Sequence, residues 1–317
     1  MALGTLQGSK QGCQPACGNI TVPYPFGIGK DTGCSLDKSF YMTCNTSYEP
    51  SKLFLASSIL EVHSFSDSEL RLFTGVSYKC YNKSGDIYSE YSRWTSLSLS
   101  AYTYTFSERN KFTVVGCDDI AFIEVDSSFS GCRGLCSKLS DVDDIGPNLN
   151  PEPEKGRKKE TNSQRDKKER RQIHRNGPTD EGECSGKGCC ETSITKGLKY
   201  YDIILDTPSG HINVSDFNKC GYAFLSEEGS FRFGGAKDLY TKTDLDFYNR
   251  VTSSVPLVLD WVIAPAVQNC SDQANECKGK SHCYDVDSGG YRCRCNQGYE
   301  GNPYLDQGCQ GLFLVFF

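Results

Sequence analysis

Cysteine is the residue type with most chemistry to offer in this chain, at eighteen of 317 residues against four histidines and two methionines. Thiols in such numbers either hold zinc or pair as disulfides. The even count and five Asn-x-Ser/Thr sequons, at Asn19, Asn45, Asn82, Asn213 and Asn269, favour disulfides in an oxidising, glycosylating compartment. Catalysis has little to work with. His63, His174, His211 and His282 stand apart from any nucleophile or carboxylate motif. Asp287-Ser288-Gly289-Gly290 has the residue types of a serine nucleophile loop, yet it lies in a forty-residue stretch, Cys270 to Cys309, that carries six cysteines. Such a stretch has no room for a rigidly held His and Asp partner. Gly27-Ile28-Gly29 followed by Gly33 has the wrong spacing for a dinucleotide loop and follows a proline-rich turn. The expectation is no enzyme, no cofactor and no metal.

The elements that would position these residues read as strands. Leu97, Leu99 and Ala101 alternate with serines, and Tyr102, Tyr104 and Phe106 alternate with threonines in the opposite phase, which implies a bulge or a strand covered on both faces. Ala121, Ile123 and Val125 alternate again, as do Leu257, Leu259, Trp261 and Ile263. No sustained 3.6-residue pattern stands out. The fold class is therefore mainly β, a disulfide-rich chain of several modules.

Charge separates one segment from the rest. The chain totals −6, which excludes a generally basic nucleic-acid binder, but residues 145–180 carry ten Lys or Arg against six Asp or Glu, with no cysteine. That composition cannot bury enough apolar surface to offset its ordering entropy, so it reads as a disordered charged insertion. It contributes +4 and leaves −10 on the remainder. No apolar run reaches the roughly 20 residues that span a bilayer, and Met1 to Lys10 lacks the apolar core of a signal peptide. A secretory leader is expected outside this stretch of chain.

Two cysteine patterns carry more. The C-terminal one is Cys270-x6-Cys277-x5-Cys283-x9-Cys293-x-Cys295-x13-Cys309, with a Gly298-Tyr-Glu-Gly301 turn. Six cysteines allow 15 pairings, among which spacing alone does not choose. The N-terminal one is Cys13-x3-Cys17-Gly18-Asn19, then Pro23-Tyr24-Pro25-Phe26-Gly27, Gly33-Cys34 and Phe40-x3-Cys44, a rigid extended segment closed by a turn. The first pattern resembles an epidermal-growth-factor-like (EGF-like) module. The second resembles the galacturonan-binding cysteine-rich domain of plant wall-associated receptor kinases. Cys184-Ser-Gly-x-Gly-Cys189-Cys190, Cys220-Gly-Tyr-Ala-Phe224 and Val255-Pro-Leu-Val-Leu-Asp-Trp261 are similar to the middle region of the same family.

The resemblance implies an ectodomain with a galacturonan-binding domain at 11–120, a middle cysteine-rich region at 121–268 containing the insertion, an EGF-like module at 269–310 and an apolar tail at 311–317. It implies the pairs Cys270–Cys283, Cys277–Cys293 and Cys295–Cys309. Calcium is not expected in that module, because Val267-Gln268-Asn269 lacks the acidic pair and the Asp285 to Tyr291 spacing is one residue long. The family's membrane helix and kinase motifs are absent from this sequence. The insertion and the tail are expected to be read-through of unspliced message.

By the same resemblance the ligand is pectin or its oligogalacturonide fragments, met at the cell surface, with other receptor ectodomains as further partners. A uronate on every sugar calls for Arg or Lys donors and aromatic faces. The donors expected are Lys30, Lys38, Lys52, Arg71, Lys79, Lys83, Arg93, Arg109 and Lys111, with Tyr24, Phe40, Tyr41 and Trp94 as platforms. The competing reading is a secreted protein-interaction module acting through the EGF-like unit, without glycan binding. Deleting Gly146 to Thr179 should leave folding and pectin affinity nearly intact, since loop closure changes by only about 0.6 kcal/mol per doubling of length. The salt dependence of pectin binding, compared between full and deleted chains, checks this. Abolished binding would make the cationic stretch itself the site.

Overall fold

The computed structural model describes residues 6–92, 94–96, 103–125, 128–137, 184–240, 243, 245–263, 270 and 276–311. The expected insertion at 145–180, Arg93, Asn269, the tail beyond residue 311 and the side chain of Trp94 lie outside the described residues. What is described is mainly β, stapled by disulfides. The reason is visible in single strands. Tyr200–Asp206 turns Tyr201, Ile203 and Leu205 inward and Asp202, Ile204 and Asp206 outward, the period of two that a half-buried strand imposes. Tyr104–Phe106, the described part of the run in the second phase, is buried at all three positions and so covered on both faces; the phase change itself, between Ala101 and Tyr102, lies outside the described residues.

Three larger sheets form the body. One runs Trp94–Ser96, Tyr200–Asp206, Asp118–Val125, Ser128–Leu135. A second runs Tyr104–Phe106, Pro256–Trp261, Glu69–Phe73, Val62–Phe65. The third, of five strands, runs Cys189–Ser193, Asn110–Val115, Cys220–Glu227, Val76–Tyr81, Ile87–Tyr91. Every one of these mixes strands from before and after residue 120. The boundary expected between residues 120 and 121 thus falls inside Asp118–Val125, and the strands on either side of it share one interleaved body. A smaller sheet at the front pairs Gly27–Ile28 with Tyr41–Asn45 and that strand with Lys52–Leu55.

Nine disulfides account for all eighteen cysteines. Cys13–Cys34 and Cys17–Cys44 close the front segment. Cys80–Cys220 joins neighbouring strands of the five-stranded sheet, and Cys132–Cys190 ties Ser128–Leu135 to Cys189–Ser193. Cys117–Cys136 and Cys184–Cys189 complete the middle, and Cys270–Cys283, Cys277–Cys293 and Cys295–Cys309 hold the C-terminal module. One departure from expectation is the helix Asp246–Ser254, which buries Phe247 and Val251. A single i, i+4 apolar pair in nine residues is too short a pattern to signal a helix on its own.

Trp261 stands where the parts meet. Fully buried, it touches Phe26 and Phe40 of the front segment at ring distances of 5.4 and 6.0 Å, and Tyr304 of the C-terminal module at 5.8 Å. Its indole donates to the Ser66 carbonyl, and its own carbonyl accepts from Arg292 at 2.6 Å. The C-terminal module is therefore docked rather than tethered. Ile263 and Tyr291 exchange two backbone hydrogen bonds, and the buried Asn302 amide donates to the Tyr24 carbonyl.

A second buried constraint lies in the middle. His211 is fully enclosed, with Nε2 3.0 Å from Asp119 Oδ1, Nδ1 3.0 Å from the Asn218 carbonyl, and Tyr81 stacked on the ring. Opposite an ionised Asp119 both ring nitrogens face acceptors, and the imidazolium satisfies both, although burial also pushes the Asp119 pKa up. A Cβ at Gly116 or Gly221 would meet the Asp119 carboxylate at 1.7 or 1.8 Å, which is why these two positions, one of them in the Cys220-Gly-Tyr motif, take glycine. Burial opposes charge on His211, but the Asp119 carboxylate and the two hydrogen bonds outweigh it and hold its pKa above the ordinary value.

Two outcomes follow from these contacts. A raised folded-state pKa gives stability that is complete below the unfolded histidine value of about 6.5 and lost as pH rises through the folded value. The Tm should therefore fall between mildly acid and mildly alkaline pH, and His211→Gln should flatten that part of the profile, as calorimetry would record. Trp261→Ala should cost about 3–5 kcal/mol in denaturant unfolding, because it empties a site lined from three segments.

Candidate functional site

The front segment builds its surface on the sheet Gly27–Ile28, Tyr41–Asn45, Lys52–Leu55. Alternation along the two longer strands sorts their side chains. Met42 pairs with Leu55 and Cys44 with Leu53 on the inner face, where Met42, Leu53 and Leu55 are buried. Thr43 pairs with Phe54 and Asn45 with Lys52 on the outer face, and a bridge sets Glu61 beside Phe54. The Tyr41 hydroxyl on the same face lies 2.6 Å from Ser57 Oγ. Tyr48, 45% exposed in the connecting loop, brings its ring to 6.3 Å from Phe54. Lys52 Nζ sits 5.0 Å over the Tyr48 ring and 2.8 Å from Glu61. The result is an outward-facing array of three rings, one cation and several hydroxyl or amide groups.

This array is only partly the set expected from sequence. Of the expected platforms, Tyr41 stands on it. Phe40 does not: it is fully buried, packed on Phe26 and Trp261, because strand alternation at the Tyr41 position turns its neighbour inward. Tyr24 is buried to 8% exposure, its carbonyl held by Asn302 and its ring covered by Lys10 at 5.9 Å. Burial, with nearby carboxylates adding to it, pushes the Tyr24 hydroxyl pKa up.

The expected cations divide in the same way. Arg71 and Arg109 are not free to meet a uronate. Arg71 grips Glu227 with Nε and Nη2 at 2.9 and 2.8 Å and reaches Glu69 at 3.0 Å, while Arg109 joins both carboxylates from the other side. The Arg71 hydrogen bond holds Glu227 below the usual carboxylate range. Two arginines between two largely buried glutamates form a structural clamp joining three strand regions. Lys111 pairs with Glu228 and Lys83 with Asp216, the latter pair fully in solvent and of little energetic weight. Lys79 lies across from Glu90 in register. Lys30 and Lys38 are exposed and form no ion pair among the described residues.

Tyr48, Phe54 and Glu61 were missed at the sequence level. A signal existed in the alternation Lys52-Leu53-Phe54-Leu55, which marks Lys52 and Phe54 as one face. Of the sequons, Asn19, Asn82 and Asn213 are exposed, and Asn45 lies on the outer sheet face opposite Lys52. Among the described residues no cluster of three or more His, Cys, Asp or Glu could hold a metal ion, and no helix is long and apolar enough to cross a membrane.

Comparison with known proteins places this geometry. Residues 13–74, which contain the whole array, match the wall-associated receptor kinase galacturonan-binding family. Wall-associated receptor kinase 2 of Arabidopsis thaliana is 32% identical over 304 residues, covering 95% of this chain and 34% of that protein. Wall-associated receptor kinase 5 of the same plant is 33% identical over 314 residues, with coverage of 95% and 34%. Wall-associated receptor kinase 1 is 30% identical over 311 residues, with coverage of 95% and 35%. No solved structure matches. The chain spans about a third of the length of these curated relatives. Over 95% of its length the chain is similar to an ectodomain-sized part of the wall-associated receptor kinases, and its residues 13–74 match that family's galacturonan-binding segment.

Proposed function

We propose that this chain is an extracellular binding ectodomain, not an enzyme, and that it takes acidic wall polysaccharide, pectin or oligogalacturonide, on the outer face of the front sheet. The observation that carries the reading is the Tyr41, Tyr48, Phe54 and Lys52 array inside the segment that matches the galacturonan-binding family. Its chemistry suits a polyuronate. Ring faces pack against the apolar CH edge of a pyranose, and a lysine beside them meets the carboxylate. Lys52 is part-exposed and paired only with Glu61, so a uronate can exchange for that carboxylate at small cost. The matched segment holds four Lys or Arg against six Asp or Glu, so no broad positive field draws the ligand in. Binding on this reading is local, with Lys30 and Lys38 as flanking charges. Nine disulfides and five sequons support the extracellular setting.

Calorimetric titration with oligogalacturonide at low salt tests the assignment. Tyr48→Ala and Phe54→Ala should each weaken binding about tenfold, equivalent to about 1.4 kcal/mol, while leaving the Tm nearly unchanged. Arg71→Ala should instead lower the Tm, since it leaves Glu227 without its bidentate partner. Unchanged affinity in both aromatic variants, with loss on Lys30→Ala and Lys38→Ala, would move the site off this face.

A further inference from the structure

The described cavity best fitted for a small ligand lies away from the front segment, in the middle of the chain. It encloses about 490 Å³, within the roughly 300–1,000 Å³ usual for small-molecule sites, and the Cys117–Cys136 disulfide lines it. Leu135, 41% exposed, and Val214 supply apolar wall. Lys187, Ser209 and Asp118 supply polar groups, and so does Asn213, the asparagine of the Asn213-Val214-Ser215 sequon.

The polar groups are set for a ligand rich in hydroxyls. Asp118 gathers four hydrogen bonds on one oxygen, Oδ2, from Thr207 Oγ1 at 2.8 Å, Ser209 Oγ at 2.7 Å, and the backbone N–H groups of Ser209 and His211 at 3.1 and 3.2 Å. That fixes the carboxylate and leaves Oδ1 without a hydrogen bond among the described residues. Lys187 has no ion pair, and the Asn213 amide no hydrogen bond, among the described residues. A fixed acceptor, a free ammonium, a hydroxyl and an apolar wall around an exposed sequon asparagine match the needs of an N-acetylhexosamine: hydroxyls, an acetamide and a methyl group.

We infer that the cavity is the seat of the chain's own glycan, its first sugar attached at Asn213 and docked over the Cys117–Cys136 disulfide. The attachment balances simply. The Asn213 amide nitrogen bonds to the anomeric carbon of an oligosaccharide carried as a lipid diphosphate, the bond from that carbon to the diphosphate breaks, and the amide loses a proton. The inference rests on the extracellular part of the proposed function, because only secretory passage supplies that donor. It is independent of pectin binding. The docked sugar would act as an internal packing element, covering the wall at Leu135 and Val214 and accepting or donating to Lys187, Ser209 and Asp118.

The full chain secreted from a glycosylating host provides the test, with occupancy read by mass spectrometry and Tm by calorimetry. Folded protein is compared intact, trimmed by an endoglycosidase that leaves one N-acetylglucosamine per site, and stripped by an amidase. Intact and trimmed forms should share one Tm, and the stripped form should lose about 2–4 °C. Asn213→Gln, which adds no charge, should show the same loss and lose nothing more on stripping, while Asn19→Gln, at an exposed sequon, should match the wild type. An unmodified Asn213 beside occupied Asn19 and Asn82 would overturn the inference and leave the extracellular reading standing. Vacancy at every sequon would overturn both. An occupied Asn213 whose removal leaves the Tm unchanged would also sink the idea. So would a loss that follows deletion of residues 146–179 but not Asn213→Gln, since that result gives the cavity to the chain between Ser137 and Cys184.

Discussion

A single indole ring, that of Trp261, holds the three parts of this protein in one arrangement. The side chain is too large to be placed without filling a defined volume, and that volume is walled by Phe26 and Phe40 from the front, Ser66 from the next strand region and Tyr304 from the C-terminal module. Edge-to-face contacts of this kind fix ring orientation as well as distance. The strand that carries Trp261 is central in its sheet, paired on both sides, so the ring cannot shift without breaking a ladder. The small C-terminal module, which in isolation would depend on its three disulfides, gains a rigid seat through Arg292 and Asn302.

That arrangement decides which surface remains for recognition. Because Phe26 and Phe40 serve the Trp261 core, the aromatic residues most prominent in the front motif face inward. The rings left outside are Tyr41, Tyr48 and Phe54, brought together by pairing two short strands and one loop. The same logic governs charge. Arg71 and Arg109 sit on either side of Glu69 and Glu227, and each of these largely buried carboxylates is matched by a guanidinium, as burial of ions requires. The surface lysines Lys30 and Lys38 lie outside that clamp and are exposed.

Sequence reading reached the fold class and the family motifs, and it did so for local reasons. Alternation in Tyr200–Asp206 and in Pro256–Trp261 expresses burial within a few residues, and cysteine spacing is a property of neighbours along the chain. The helix Asp246–Ser254 escaped because nine residues hold one apolar repeat. The boundary expected at residue 120 meets no break in the described sheets, because strands such as Val76–Tyr81 find their partners near residue 220, well over a hundred positions away.

Residue types and their order along the chain determined that this is a disulfide-rich, mainly β chain similar to the wall-associated receptor kinases, with the segment that matches their galacturonan-binding family first. Only the tertiary structure decided which of its polar and aromatic groups are available. Arg71 and Glu227 are 156 positions apart, yet they share two hydrogen bonds. Phe40 and Tyr41 are adjacent, yet one is core and the other surface. Whether a charge is free or a ring exposed depends on what distant strands deliver to its side, and that is set by packing rather than by neighbours in sequence.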